Sequence, residues 1–336
     1  MPQRSGLRRV HTFTHSDNAT QREQINMSGY VRALKLRLTG TIAVTSNATN
    51  VMNFDPENLI SSINIWLNNE EILHTGRMID FRIRNGVFGK LGTQDQVGTT
   101  VTSGASPYAF TSIVEIPFEI PAARKGADTI LSLPSADRLD IEVTWGDTTS
   151  LINGGTVVMD GASSSVVPTL IVLADIVRVA QPPTHVYKTG AFDSDALGTS
   201  ANTSLEIPIT TSARRNYHHL VVTTEDVNNA AGGGRNLEAV TINDITLRQE
   251  SGGEVSNIIG PITGTELQEE FDLLSANENG IQTGVLPIVF QSRHSGMRTF
   301  NVATGKLSDL RWLVDHGTFG TSGRIRTIYG TIEELR

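Results

Sequence analysis

Alternation of apolar and polar side chains dominates this chain. Leu34, Leu36 and Leu38 share one side of an extended segment beginning at Val31, while Ala33, Lys35, Arg37 and Thr39 take the other, before Gly40 interrupts. A period of two with one apolar side is the mark of a half-buried strand. Ile63, Ile65 and Leu67 alternate with Asn64, Trp66 and Asn68, and Asn68-Asn69 supplies turn chemistry at the end. Ile116–Pro121 (IPFEIP) predicts a strand bracketed by prolines, which belong at sheet edges or strand ends. Leu205–Ile209, His218–Thr224 and Leu237–Leu247 read as further strands. One helix is signalled, with Thr265 as cap, Gln268 completing a capping box, and Leu267, Phe271 and Leu274 on one face. The segment Thr75–Gly86 (TGRMIDFRIRNG) fits either a strand or a short helix starting after Thr75.

The strand pattern occurs twice. Asp137–Gly146 (DRLDIEVTWG) matches Ser308–Gly317 (SDLRWLVDHG), with Leu139/Leu310, Val143/Val314 and Gly146/Gly317 in register. Thr169–Val177 then corresponds to Arg324–Ile332, and upstream Tyr30–Leu38 corresponds to Tyr217–Thr224 and Ile113–Ile120 to Val285–Phe290. Two similar β modules in one chain suggest a covalent pseudo-dimer and point to architecture before chemistry. The joint is expected around Val179–Gly190, where Pro182-Pro183 would form a stiff spacer. The expected division is an N-terminal arm at 1–24, a first module at 25–180, a linker at 181–190 and a second module at 191–336. Thr93–Pro107 and Asp147–Ser165 are polar surface excursions; the counterpart of the second, Gly317–Gly323, is short.

Composition agrees with this picture and narrows the chemistry. The 336 residues fit two modules of about 150 each. A net charge of −8 argues against a protein that coats nucleic acid, and no sequence-specific nucleic-acid binding is expected. The absence of cysteine excludes disulfides, thiolate metal sites and cysteine nucleophiles, and makes a reducing cytoplasm the simplest place of folding. MPQRSGLRRV lacks a signal-peptide core, and the longest apolar stretch, Val166–Val177, contains Pro168 and Asp175, so no membrane span is expected. Residues 1–16 carry Arg4, Arg8 and Arg9 and no acidic side chain, the pattern of either a contact with an anionic surface such as lipid headgroups or a solvated terminus.

No catalytic, cofactor or metal site emerges. Gly232–Gly234 is followed by Arg235 and Asn236 rather than the Lys-Ser/Thr of a phosphate loop. His218 and His219 are adjacent in a strand and are expected to face opposite sides, which keeps them from gripping one metal. Asp193 and Asp195 lack the acidic spacing of a calcium loop and read as turn caps. Neither HExxH nor GxSxG occurs. Trp145 and Trp312 fall in phase with inward aliphatic positions, leaving Trp66 as the one candidate interface aromatic.

The segments SGYVRALKLRLTGTIAV, PENLISSINIWLNN, ILHTGRMIDFRIRNG, VEIPFEIP and LSLPSADRLDIEVTWG, in this order, resemble the double jelly-roll major capsid proteins of tailless icosahedral viruses, the tectivirus-like and corticovirus-like group with an internal membrane. The resemblance covers about residues 25–180, and the second half through its repeated strand order. It implies an all-β chain of two consecutive eight-stranded jelly-roll sandwiches with a few short helices. Three chains would form a pseudo-hexagonal capsomer, with Arg4, Arg8 and Arg9 at an inner face near membrane. The expected protein is therefore a non-enzymatic major capsid protein, assembled in the host cytoplasm and resident in the virion. Its partners would be itself as a homotrimer, neighbouring capsomers, penton or minor capsid proteins and internal lipid. The alternatives are a two-domain β-sandwich that binds or acts on glycans, needing a cleft with paired carboxylates or exposed aromatics, and a vertex protein of fivefold symmetry.

Overall fold

A computed structural model describes residues 6–27, 29–46, 53–54, 56–88, 99–100, 107–120, 129–133, 137–147, 151, 156–177, 183–211, 216–227, 235–237, 240–275, 284–289, 302–303, 309–320 and 323–334. The first half contains β1 (Gly6–Thr14), β2 (Thr20–Ile25), β3 (Gly29–Ser46), β4 (Asn53–Phe54), β5 (Ile60–Leu67), β6 (Glu71–Gly76), α1 (Met78–Val87), β7 (Thr99–Thr100), β8 (Tyr108–Pro117), β9 (Leu131–Leu133), β10 (Leu139–Trp145), β11 (Thr156–Val158) and β12 (Val166–Val177). The second contains β13 (His185–Asp193), β14 (Asn202–Pro208), β15 (Asn216–Val227), β16 (Arg235–Leu237), β17 (Ile242–Ser251), β18 (Glu254–Ile262), α2 (Gly264–Ser275), β19 (Val285–Val289), β20 (Val302–Ala303), β21 (Asp309–His316) and β22 (Gly323–Glu334).

The two halves pair their principal strands in the same order. In the first, β1-β12-β3-β8 forms one sheet and β2-β10-β5-β6 faces it. In the second, β13-β22-β15-β19 and β14-β21-β17-β18 repeat the arrangement. A helix follows the fourth strand of the second sheet in both halves, α1 after β6 and α2 after β18. Even the hairpins correspond: Asn68 and Asn69, with φ of 53° and 62°, join β5 to β6, and Gly252 and Gly253, with φ of 60° and 88°, join β17 to β18. Asn and Gly tolerate this left-handed backbone at low cost.

Each sandwich closes on its own core. Leu34, Leu36, Leu38, Ile63, Ile65, Ile141, Val143 and Trp145 are buried together in the first. Leu220, Val222, Ile245, Leu247, Leu310, Trp312 and Val314 are buried in the second. Burial of such side chains contributes roughly 1.5–3 kcal/mol each and fixes the register, because a one-residue slip would turn every one of them outward.

Several expectations are corrected. Residues 6–24, expected within an N-terminal arm, lie largely in β1 and β2, which pair with β12 and β10 inside the first sandwich. The expected linker at 181–190 is already strand from His185 onward, where β13 pairs with β22. The strand expected at Ile116–Pro121 begins at Tyr108 and ends at Pro117. Helix α2 is capped by Thr263 rather than Thr265: Glu266 N donates to Thr263 Oγ1 at 3.2 Å, and Thr263 N donates to Glu266 Oε2 at 2.9 Å. Gln268 donates instead to the Val285 carbonyl at 3.1 Å. Leu267 is buried, whereas the side chains of Phe271 and Leu274, like Gly232–Gly234 and Pro182, lie outside the described residues. Among the described residues no helix is long and apolar enough to cross a membrane.

Candidate assembly interface

Among the described residues, the geometry that bears on assembly lies where the two sandwiches meet and at the sheet edges. Strand β6 of the first meets β13 of the second in parallel, with His74 opposite Thr189, so one sheet runs through both modules. His74 Nδ1 lies 2.8 Å from Thr189 Oγ1. Lys188, next on β13, reaches Glu71 of β6 and Glu333 of β22, each at 2.5 Å.

Helix α1 fills the angle between the modules. Met78 and Phe81 turn into the first core, while Ile79, Ile83 and Val87 pack on Val221, Val285 and Ile328 of the second. A helix between two cores is apolar on more than one side, and this is why TGRMIDFRIRNG carries no simple period. Asp80 anchors it. Its carboxylate accepts from Arg77 N at 2.7 Å, and Arg326 of β22 grips it with Nε at 2.9 Å and Nη2 at 2.7 Å. Arg77 also pairs with Glu225 of β15, and Arg326 with Asp193 of β13, both at 2.5 Å. Burial by itself would raise the Asp80 carboxyl, but Arg77 and Arg326 overcome it and hold the group far below the usual carboxylate range.

Behind this network lies a buried polar cluster. The His218 and His219 Nδ1 atoms are 3.1 Å apart, one necessarily donating to the other. Their expected opposite orientation is corrected by a bulge between Tyr217 and His219 in the β15–β22 ladder, which brings both rings against Phe88 and Tyr187. Burial pushes the Tyr187 phenol up to about 12, with Arg84 acting in the opposite direction. Burial also lowers His74 and His219 well below the ordinary imidazole range, reinforced by Arg84, so both are neutral. Gly330 makes the approach possible, since a Cβ there would stand 2.2 Å from His219 Cε1 and 2.7 Å from the Tyr187 hydroxyl.

The residues singled out in the sequence are dispersed. Arg4 lies outside the described residues, while Arg8 and Arg9 are exposed on β1, an edge strand. Trp66 is half-buried, not free: the Arg22 guanidinium stacks over its ring at 4.9 Å. Trp145 and Trp312 are core residues, 1% and 0% exposed. Asp193 accepts from Arg326, and Asp195 is exposed. Among the described residues no three His, Asp or Glu side chains gather as a metal site. The seam residues Asp80, Arg326, His74, Tyr187 and Gly330 were not singled out; only Asp80, an acid in the first turn of a possible helix, left a readable signal.

No protein-family model and no curated protein matches the chain. Solved structures do. The major capsid protein of STIV, Sulfolobus Turreted Icosahedral Virus, superposes with a TM-score of 0.71 at 12% identity, over 98% of this chain and 97% of that one. The major capsid protein of bacteriophage PM2 gives 0.60 at 10% identity, over 99% and 98%. A chain of the PBCV-1 virus capsid gives 0.63 at 11% identity, over 98% and 94%. The chain thus folds as a double jelly roll, the architecture of these capsid proteins, as its order of elements leads one to expect.

Proposed function

We propose that the protein is the major structural unit of an icosahedral viral shell, assembling as pseudo-hexameric homotrimers. The observation that supports this best is the strand-for-strand repetition of one sandwich in a single chain whose two modules share a sheet and an apolar cluster. Two similar wedges per chain and three chains per ring supply six near-equivalent sides, which tile a hexagonal lattice without six different proteins. Full-length superposition on solved capsid proteins supports the same role. The role is structural rather than catalytic, with the protein in the virion after assembly in the host cytoplasm. Its partners are further copies of itself and the penton or minor proteins that close the shell. The two modules divide between Val177 and His185, and the shell encloses an internal membrane, towards which Arg4, Arg8 and Arg9 supply positive charge. The glycan alternative has lost its one candidate platform, because Arg22 covers Trp66.

Negative-stain imaging of the purified full chain tests the reading. Hexagonal capsomers or curved shell fragments are expected; particles without hexagonal outline at every concentration would contradict it.

A further inference from the structure

The joint between the two modules is heterologous. Strand β6 meets β13, and β13 is the counterpart of β1, because each borders the last strand of its own module, β22 or β12. A joint between unlike surfaces can be repeated by the same operation until a ring closes. One chain uses it once. Among the described residues, the repeat leaves β1 at one sheet edge and β18, the counterpart of β6, at another. Each edge carries a large exposed hydrophobic side chain, Leu7 at 59% and Val255 at 49% exposure, although open strand edges invite pairing and are ordinarily guarded.

The ladders fix which residues the repeated joint would bring together. Lys35 lies opposite Leu173 as Val221 lies opposite Ile328, and Arg37 lies opposite Ile171 as Thr223 lies opposite Arg326. Counted from their caps, Arg77 and Thr263, the helices align Ile83 of α1 with Glu269 of α2. Within the chain Ile83 and Val221 belong to one apolar cluster. At the repeated joint their counterparts are an acid, the exposed Glu269, and a base, Lys35, which lies 3.9 Å from Glu115 of β8 and has the exposed Arg37 beside it. At this position the permanent joint is apolar, whereas its counterpart is complementary in charge, as suits a contact made between separately folded copies.

Resting on the capsid reading, we propose that β18 and α2 of one copy dock on β1 and the outer face of the β1-β12-β3-β8 sheet of the next, with Glu269 facing Lys35 and Arg37. The same register sets Leu7 beside Ile259 of the neighbour: Leu7 lies opposite Asp175 as Thr189 lies opposite Gly330, and His74, paired with Ile65, corresponds to Ile259, paired with Leu247.

Two experiments on the full chain test the docking. In the first, E269K and R37E are made singly and together, and native mass is followed by light scattering against dilution. Each single variant is expected to raise the concentration of half-dissociation at least tenfold, with partial recovery in the double variant; single variants that dissociate like the parent would overturn the proposal. In the second, the absence of native cysteine allows L7C/I259C to report directly. Oxidation is expected to yield covalently linked dimers and trimers; a trimeric L7C/I259C protein that stays unlinked would overturn the docking while leaving the capsid reading intact. A parent chain that never leaves the monomer would overturn both.

Discussion

Arg326 and Asp80, 246 residues apart in sequence, form a two-point ion pair across the modules, with Nε–Oδ1 at 2.9 Å and Nη2–Oδ2 at 2.7 Å. Each is almost fully buried, and Arg77 completes the group from the start of α1. Removing one member of such a network leaves the others charged and uncompensated. Asp80→Asn is therefore expected to destabilise the chain by about 3–5 kcal/mol, read as a lower midpoint in urea unfolding. A midpoint unchanged from the parent would show that the pair does not hold the seam.

Acid should weaken the same seam through its histidines. His74 and His219 have folded-state pKa values lowered by burial, so the unfolded chain takes up protons that the folded chain refuses. Their contribution is whole above the ordinary imidazole pKa of about 6.5 and is lost as pH falls below it, by up to about 1.4 kcal/mol per pH unit for each ring. The groups bearing on them are Arg84, Lys188 and Thr189 around His74, and Arg84, His218 and Tyr187 around His219. Asp80 works in a lower window, its lowered pKa adding stability above the ordinary carboxylate pKa of about 3.9 and losing it below. Urea unfolding between pH 7.5 and 5 should show a falling midpoint, and His219→Gln should flatten that slope; a flat parent profile would refute it.

Gly330→Ala tests the closeness of the polar cluster. The added methyl would meet His219 Cε1 at 2.2 Å and the Tyr187 hydroxyl at 2.7 Å, both on buried side chains. Overpacking of this kind costs about 1–3 kcal/mol, measured as a lower thermal midpoint. Gly6→Ala, where a Cβ meets nothing within 4 Å, is the matched control expected to change little.

The basic start of the chain makes a separate prediction. Particles of the triple variant Arg4→Ala/Arg8→Ala/Arg9→Ala should enclose less lipid per copy of the chain, each exposed charge near an anionic surface contributing about 1 kcal/mol. Normal lipid content in the purified variant particles would remove the proposed membrane contact.

What the sequence made legible follows from how each element is buried. Strands with one face inward and one outward, such as β5 through Ile63 and Ile65 or β21 through Leu310, Trp312 and Val314, display period two directly. The duplication was visible because equivalent strands keep equivalent partners, even though few letters agree. Helix α1 was ambiguous because two cores bury it and its charges Asp80 and Arg84 are buried too. Strand β1 escaped notice because much of it is exposed, leaving Phe13 as its one fully buried position. Thr263 and Thr265 both open a capping pattern, and the choice fell to the one whose third residue is an ionised Glu. The bulge that turns His218 and His219 together depends on the register of β22 and has no local signature.

The central claim is an assembly, and native mass measures it most directly. Light scattering on the purified full chain should give a particle of about 109 kDa, three times the 36.3 kDa chain. A stable 36.3 kDa monomer across the accessible concentration range would contradict the account.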